Sequence, residues 1–175
     1  MTASAKNLPT AEDLYASLRE GVAGLIQNLP AGQVHLVGIH SGGAWLANRL
    51  HGDLSLSTAL GTLNISFYRD DFDRIGLHPQ VEPSDIGFDV NDRHLILVDD
   101  VLYTGRTIRA AMNELFDYGR PASIKLVVLV DRGQRELPIC ADFAAAHLQA
   151  LPADNLVLAQ SESGQFTMHI ETKEA

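Results

Sequence analysis

Apolar residues recur at helical spacing through Leu14, Leu18, Val22, Leu25 and Ile26. This spacing predicts a helix starting near Ala11 with Thr10 as its cap. Pro30 and Gly32 end it. Val34 to Ile39 is a short apolar run and reads as a strand. Ser41-Gly42-Gly43 is a turn, and a second helix runs to about Gly52 with Trp45, Leu46 and Leu50 on its apolar face. Leu63, Ile65 and Phe67 alternate within Ser57 to Tyr68, the period of a strand. Residues 69–92 are polar and broken by Gly76, Pro79, Pro83 and Gly87. A segment of that length is expected to be a functional lid or partly disordered. His94 to Val98 is a strand, Tyr103-Thr104-Gly105 a turn, and Arg106 to Tyr118 a helix stopped by Gly119 and Pro121. Ser123 to Val130 is the near-continuous apolar run of a strand buried on both faces. After a loop from Asp131 to Pro138, Phe143 to His147 reads as another short strand. Leu156 to Gln160 and Gln165 to Ile170 flank Ser161-Glu162-Ser163-Gly164 as a hairpin.

Strands alternating with helices predict an α/β fold with a mainly parallel central sheet and flanking helices. A chain of 175 residues is expected to form one domain, with residues 1–9 as a loose tail. Hydrophobic content of 46% with 20% charged residues is that of a globular chain. The longest apolar runs are too short to cross a bilayer. Met1 to Leu8 is not followed by the apolar stretch of a signal peptide. Cys140 is the single cysteine, so an intrachain disulfide and a Cys-based zinc site are excluded. A cytoplasmic location is expected. The formal net charge of −9 argues against a general nucleic-acid binder, which needs clustered Lys and Arg. Acidic residues also suit Mg²⁺, which takes carboxylate and water oxygens.

The segment from Leu95 to Thr107 changes the picture. It is an apolar strand, then Asp99-Asp100, then a Thr/Gly turn, then a helix start. Ligands of open α/β sheets bind at the carboxyl ends of the strands. Adjacent acids there can accept hydrogen bonds from a vicinal diol. The turn brings backbone N–H groups to a helix N-terminus, where the orphan donors and the helix dipole favour a phosphate. Gly105 permits close backbone approach, and Thr104 and Thr107 add hydroxyls. Diol acceptors followed by a phosphate cup describe a ribose 5-phosphate site. A response-regulator phosphoacceptor site also has acids at strand ends, without this Thr/Gly turn directly after them. The plain alternative is a strand ending in solvated acids with Thr104 as an ordinary cap.

This segment resembles the signature for 5-phosphoribosyl-1-pyrophosphate (PRPP) in the type I phosphoribosyltransferase family. Gly119-Arg120-Pro121, Leu129-Val130-Asp131-Arg132-Gly133, Arg135-Glu136-Leu137-Pro138-Ile139 and Tyr68-Arg69-Asp70-Asp71 are similar to one branch of it. That branch comprises bifunctional pyrimidine-operon regulators with uracil phosphoribosyltransferase activity. The resemblance covers roughly residues 10–170. It implies that Asp99 and Asp100 hold the ribose hydroxyls, that Val101, Leu102, Tyr103, Thr104, Gly105, Arg106 and Thr107 surround the 5-phosphate, and that Ser41 and Gly42 belong to the pyrophosphate loop. Residues 69–92 would form the lid, with Arg69 steadying a phosphate. Residues 131–142 and the C-terminal strands would form a hood, with Arg132 and Arg135 at the nucleotide. Mg²⁺ is implied as cofactor, carried by PRPP rather than by a protein cage. Implied partners are PRPP, uracil, UMP or UTP and pyrimidine-operon leader RNA, in a homodimer or larger homo-oligomer.

Two departures stand out. The family's pyrophosphate loop commonly reads Thr-Arg-Gly, whereas Ser41-Gly42-Gly43 stands here. RNA-binding members carry Arg and Lys in the first helix and before the C-terminal strands. Here that helix offers Arg19, and Ala144 to Asn155 carries neither Lys nor Arg. The remaining candidates for a basic patch are Lys125, Arg132 and Arg135. Three functions therefore compete: a uracil phosphoribosyltransferase, a nucleotide-sensing RNA-binding regulator with little catalysis, and a phosphoribosyltransferase for another base such as hypoxanthine. His40 is the histidine worth testing, because it lies in the presumed pyrophosphate loop. Trp45 reads as core, and Cys140 as a small buried or hood residue.

Overall fold

The computed structural model describes residues 2–3, 9–65, 83–148 and 155–171. Strand β1 is Thr2–Ala3, within the segment expected as a tail. Helix α1 (Ala11–Ile26) starts at a capping box: the Thr10 hydroxyl accepts from Asp13 N–H, and the Asp13 carboxylate accepts from Thr10 N–H. Such a reciprocal pair satisfies two orphan donors. Leu14, Leu18 and Val22 form its buried stripe. β2 (Val34–Ile39) and α2 (Gly42–Asp53) follow. The Ser-Gly-Gly turn is thus absorbed into the first turn of α2. β3 is Gly61–Leu63; of the strand expected over Ser57 to Tyr68, residues 57–60 and 64–65 are not strand, and residues 66–68 lie outside the described residues. β4 (His94–Leu102), α3 (Arg106–Tyr118), β5 (Ser123–Asp131) and β6 (Phe143–Leu148) complete the main sheet.

The sheet order is β1-β6-β5-β4-β2-β3, and each neighbouring pair is parallel. Alternation decides the layers. Val34 and Leu36 of β2 with Ile96 and Val98 of β4 face α1 and α2. Val37 and Ile39 with Leu95 and Leu97 face α3, whose Ile108, Ala111 and Leu115 cover them. The chain progresses from β2 to β3 in one direction and from β4 through β5 to β6 in the other. The sheet therefore reverses between β2 and β4. Such a switch point opens a crevice at the strands' carboxyl ends, because the helices that follow leave on opposite faces.

β7 (Asn155–Gln160) and β8 (Phe166–Glu171) form a separate antiparallel hairpin. It docks on α1: Phe166 N–H donates to Glu12 Oε1 at 2.7 Å, and the Tyr15 and Phe166 rings lie 5.5 Å apart. The Arg49 guanidinium lies over both rings and donates to Glu12 at 2.9 Å. That hydrogen bond, opposed by burial, leaves the Glu12 carboxyl below its ordinary range.

Arg69 and most of the expected lid lie outside the described residues. The last part of that segment is packed. Asp85 exchanges two 2.8 Å backbone hydrogen bonds with Thr62, Phe88 stacks on His35, and Val90 is fully buried. Among the described residues no helix is long and apolar enough to cross a membrane.

Candidate active site

A cleft of about 470 Å³ opens at the switch point. Its floor is formed by two strand-to-helix turns. The first runs from Ile39 through His40, Ser41 and Gly42 into α2, and the His40–Ser41 peptide is cis. This turn is pressed against the end of β4. A Cβ on Gly43 would run into the Val98 carbonyl oxygen and lie 3.0 Å from the Asp99 Cα; one on Gly42 would meet the Asp100 carboxylate. The side-chain space at position 42 is therefore taken by Asp100.

The second turn joins β4 to α3. Asp99 is buried, and its Oδ1 accepts from Asp100 N–H at 3.0 Å; Asp100 Oδ1 accepts from Val101 N–H at 2.9 Å. Each carboxylate is thus oriented by the backbone beside it, and both line the cleft. Gly105 has φ +93°, a left-handed conformation that L side chains resist, and provides no side-chain cap to α3. The first turn of α3 holds no acidic residue. An anion is favoured there. Thr104 Oγ1 accepts from Arg106 N–H at 3.3 Å, and Thr107 lines the cleft.

The loop after β5 lies behind this turn. Arg132 is 6% exposed, lines the cleft, and holds its guanidinium 4.5 Å from the Tyr103 ring centre. Its buried Nε has no hydrogen-bond partner among the described residues. An unpaired buried donor is costly, so the geometry favours a ligand acceptor at that point. Arg135 behaves differently. It donates to the carbonyls of Tyr103 (2.6 Å), Ile139 (2.9 Å) and Gly133 (3.0 Å), and to Asp131 Oδ2 (2.6 Å). Burial pushes the Asp131 carboxyl up, but the hydrogen bonds from Arg135 and from Gly133 N–H outweigh it and hold the group below its ordinary value.

The structure therefore gathers Ser41, Gly42, Asp99, Asp100, Val101, Leu102, Tyr103, Thr104, Gly105, Thr107 and Arg132 around one cleft. Two expected site residues do not line it. The Arg106 side chain points to Glu136 at 2.7 Å, and Arg135 is turned into the loop. One lining residue escaped the sequence reading. Trp45 is half-buried on the cleft wall rather than enclosed in the core; its position three residues after Gly42, on the same helix face, was a usable signal. Asn155 to Leu158 of β7 also line the cleft, within the C-terminal strands that the resemblance implies as a hood. Cys140 is exposed. Of the cations considered for a basic patch, Arg19 is exposed on α1, Lys125 pairs with Asp142 at 3.4 Å, and Arg132 and Arg135 are engaged as described.

For Mg²⁺ the protein offers the Asp99 and Asp100 carboxylates at the cleft, hard oxygens of the type the ion accepts alongside water and substrate phosphates. No group of three or more His, Cys, Asp or Glu side chains is placed to hold a metal among the described residues. The donor set fits an ion arriving with a phosphorylated substrate.

Residues 4–149 match the family model for the phosphoribosyl transferase domain. The bifunctional protein PyrR of Nitrosococcus oceani is 52% identical over 158 residues, covering 89% of this chain and 87% of the relative. Bifunctional protein PyrR of Ralstonia nicotianae is 48% identical over 168 residues, covering 94% and 96%. A hypoxanthine phosphoribosyltransferase from Staphylococcus aureus superposes with a TM-score of 0.64 at 20% identity, over 87% of this chain and 81% of that one; at that identity the likeness concerns the fold. With the signature turn at the switch point and relatives matched over nearly their whole length, the chain belongs to the phosphoribosyltransferase family, in the branch of the bifunctional PyrR proteins.

Proposed function

We propose that the chain is a cytoplasmic uracil phosphoribosyltransferase that converts uracil and PRPP to UMP and pyrophosphate, and that it also acts as a uridine-nucleotide-sensing regulator of pyrimidine genes. The observation that carries the enzyme reading is the convergence at one switch point of two oriented carboxylates, a glycine turn at a helix N-terminus, and a buried arginine with a spare donor. Asp99 and Asp100 accept from the ribose 2′- and 3′-hydroxyls. The turn from Tyr103 to Thr107 takes the 5-phosphate on its amides and threonine hydroxyls. Arg132 Nε donates to an oxygen of the nucleotide, and the wall of Asn155 to Leu158 encloses the base.

The reaction forms a bond from N1 of uracil to C1 of the ribose as the C1–O bond to pyrophosphate breaks. The N1 proton leaves to solvent or to the departing pyrophosphate. Positive charge develops on the ring, and the two carboxylates lie where it is stabilised. Holding both reactants in line supplies up to about 7–11 kcal/mol of the barrier by the general measure of intramolecular reactions. Mg²⁺ bound with PRPP offsets charge on the leaving group. His40 and Ser41 border the leaving-group side. No covalent nucleophile is required.

The enzyme reading is tested by turnover with PRPP and Mg²⁺ over uracil, hypoxanthine and guanine. UMP from uracil is expected. Nucleotide formed from a purine and not from uracil would overturn it. The regulatory reading is supported by the relatives' description as bifunctional. It predicts salt-dependent, nucleotide-dependent binding of pyrimidine-operon leader RNA over a shuffled control. Equal binding of the two RNAs would remove it.

A further inference from the structure

Three successive carbonyls of the second turn are tied to the loop after β5. Leu102 O accepts from Arg132 N–H at 2.9 Å and from Arg135 Nη1 at 3.5 Å. Tyr103 O accepts from Arg135 Nη1 at 2.6 Å. Thr104 O accepts from Glu136 N–H at 3.0 Å and Leu137 N–H at 3.2 Å. In a planar trans peptide the C=O and the next residue's N–H point in opposite directions. Pinning these three oxygens toward the loop therefore turns the N–H groups of Tyr103, Thr104 and Gly105 away from it, as a row of donors. Successive backbone N–H groups turned the same way make an anion-binding concavity.

We infer that Arg135, anchored by Asp131, is a positioning residue for the phosphate turn: it sets the donor row from behind and does not touch the ligand. The inference rests on reading the turn as the 5-phosphate site. The Arg135 guanidinium donates to two of the three carbonyls, Leu102 O and Tyr103 O, and it reaches Ile139 O and Gly133 O with the same head. Asp131 fixes that head at Nη2 and fixes Gly133 N–H at 2.8 Å, so both ends of the tether share one carboxylate. His147 Nδ1 lies 3.7 Å from the same carboxylate oxygen. A guanidinium suits this task because its donors form a rigid planar fork; a lysine ammonium at the same place can reach fewer of these acceptors in fixed directions.

The test compares UMP with uridine. Their affinity ratio isolates what the 5-phosphate adds, and general damage to the site changes both ligands together. Isothermal titration of native protein, Arg135→Gln, Arg135→Lys and Asp131→Asn is accompanied by thermal melting of each. The expected result is a UMP-to-uridine ratio reduced about tenfold in Arg135→Gln, the scale of one charge-assisted hydrogen bond. Arg135→Lys should recover part of the ratio, and uridine affinity should be unchanged throughout. Asp131→Asn should reduce the ratio with Arg135 still present, which keeps the test decisive if Arg135→Gln does not fold. A native ratio in folded Arg135→Gln or folded Asp131→Asn overturns the inference. A native protein that does not distinguish UMP from uridine overturns the reading of the turn, and the inference falls with it.

Discussion

The two turns that floor the cleft occupy equivalent places, each at the C-terminal end of a parallel strand and the start of a helix, yet they are held in opposite ways. The turn before α2 is held by contact. Its glycines let α2 press on β4 so closely that added methyl groups would meet the Val98 carbonyl and the Asp100 carboxylate. The turn before α3 is held by hydrogen bonds from a loop on the far side, and a Cβ on Gly105 would lie 3.4 Å from Ile139, in ordinary contact. One turn uses glycine to bring backbone to backbone. The other uses it for a positive φ. The same residue type at the same topological position thus predicts different consequences when it is changed.

Gly43→Ala should do the most damage, because the clash is with backbone. Overpacking of this type costs about 3 kcal/mol, and the end of β4 that carries Asp99 must shift. Urea denaturation should show the loss of stability, with PRPP binding weakened in parallel. Gly42→Ala meets a side chain that can swing away. It should leave stability nearly unchanged and lower UMP affinity about tenfold by displacing Asp100, an effect of misplaced orientation. Equal stability of the two variants would erase the distinction between them.

The smallest effect distinguishes the turns by pH. By our inference the turn before α3 depends on Asp131, whose folded pKa is depressed. A depressed pKa contributes stability above the unfolded value of about 4 and loses it as pH falls through the folded value. The stability difference between native protein and Asp131→Asn should therefore be constant near neutrality and shrink below about pH 4. A difference that persists into stronger acid would mean that the carboxylate is not what holds the loop.

Legibility in the sequence followed the range of the interaction. The helices α1 and α3, the strands from β4 to β6, and the chain of acids, threonine and glycine from Asp99 to Thr107 were all readable, because apolar period and turn chemistry are local. Thr10 and Asp13 announce the start of α1 within four residues. Arg135 was not readable as a tether, since its role depends on the loop after β5 lying behind a turn some 32 residues earlier. The docking of the hairpin was hidden for the same reason: Glu12 and Phe166 meet across 154 residues. Trp45 was assigned to the core because a helix face tells which residues point inward, and not that the crevice opens beside that face.

We propose that Asp99 to Thr107 holds a ribose 5-phosphate. Titration of UMP into native protein and into Asp99→Asn/Asp100→Asn tests it most directly. Loss of two hydrogen bonds to charged acceptors, each worth about 1.5–3 kcal/mol, should weaken UMP by at least about a hundredfold while the variant melts as a folded protein. Unchanged UMP affinity in the folded double variant would contradict the account.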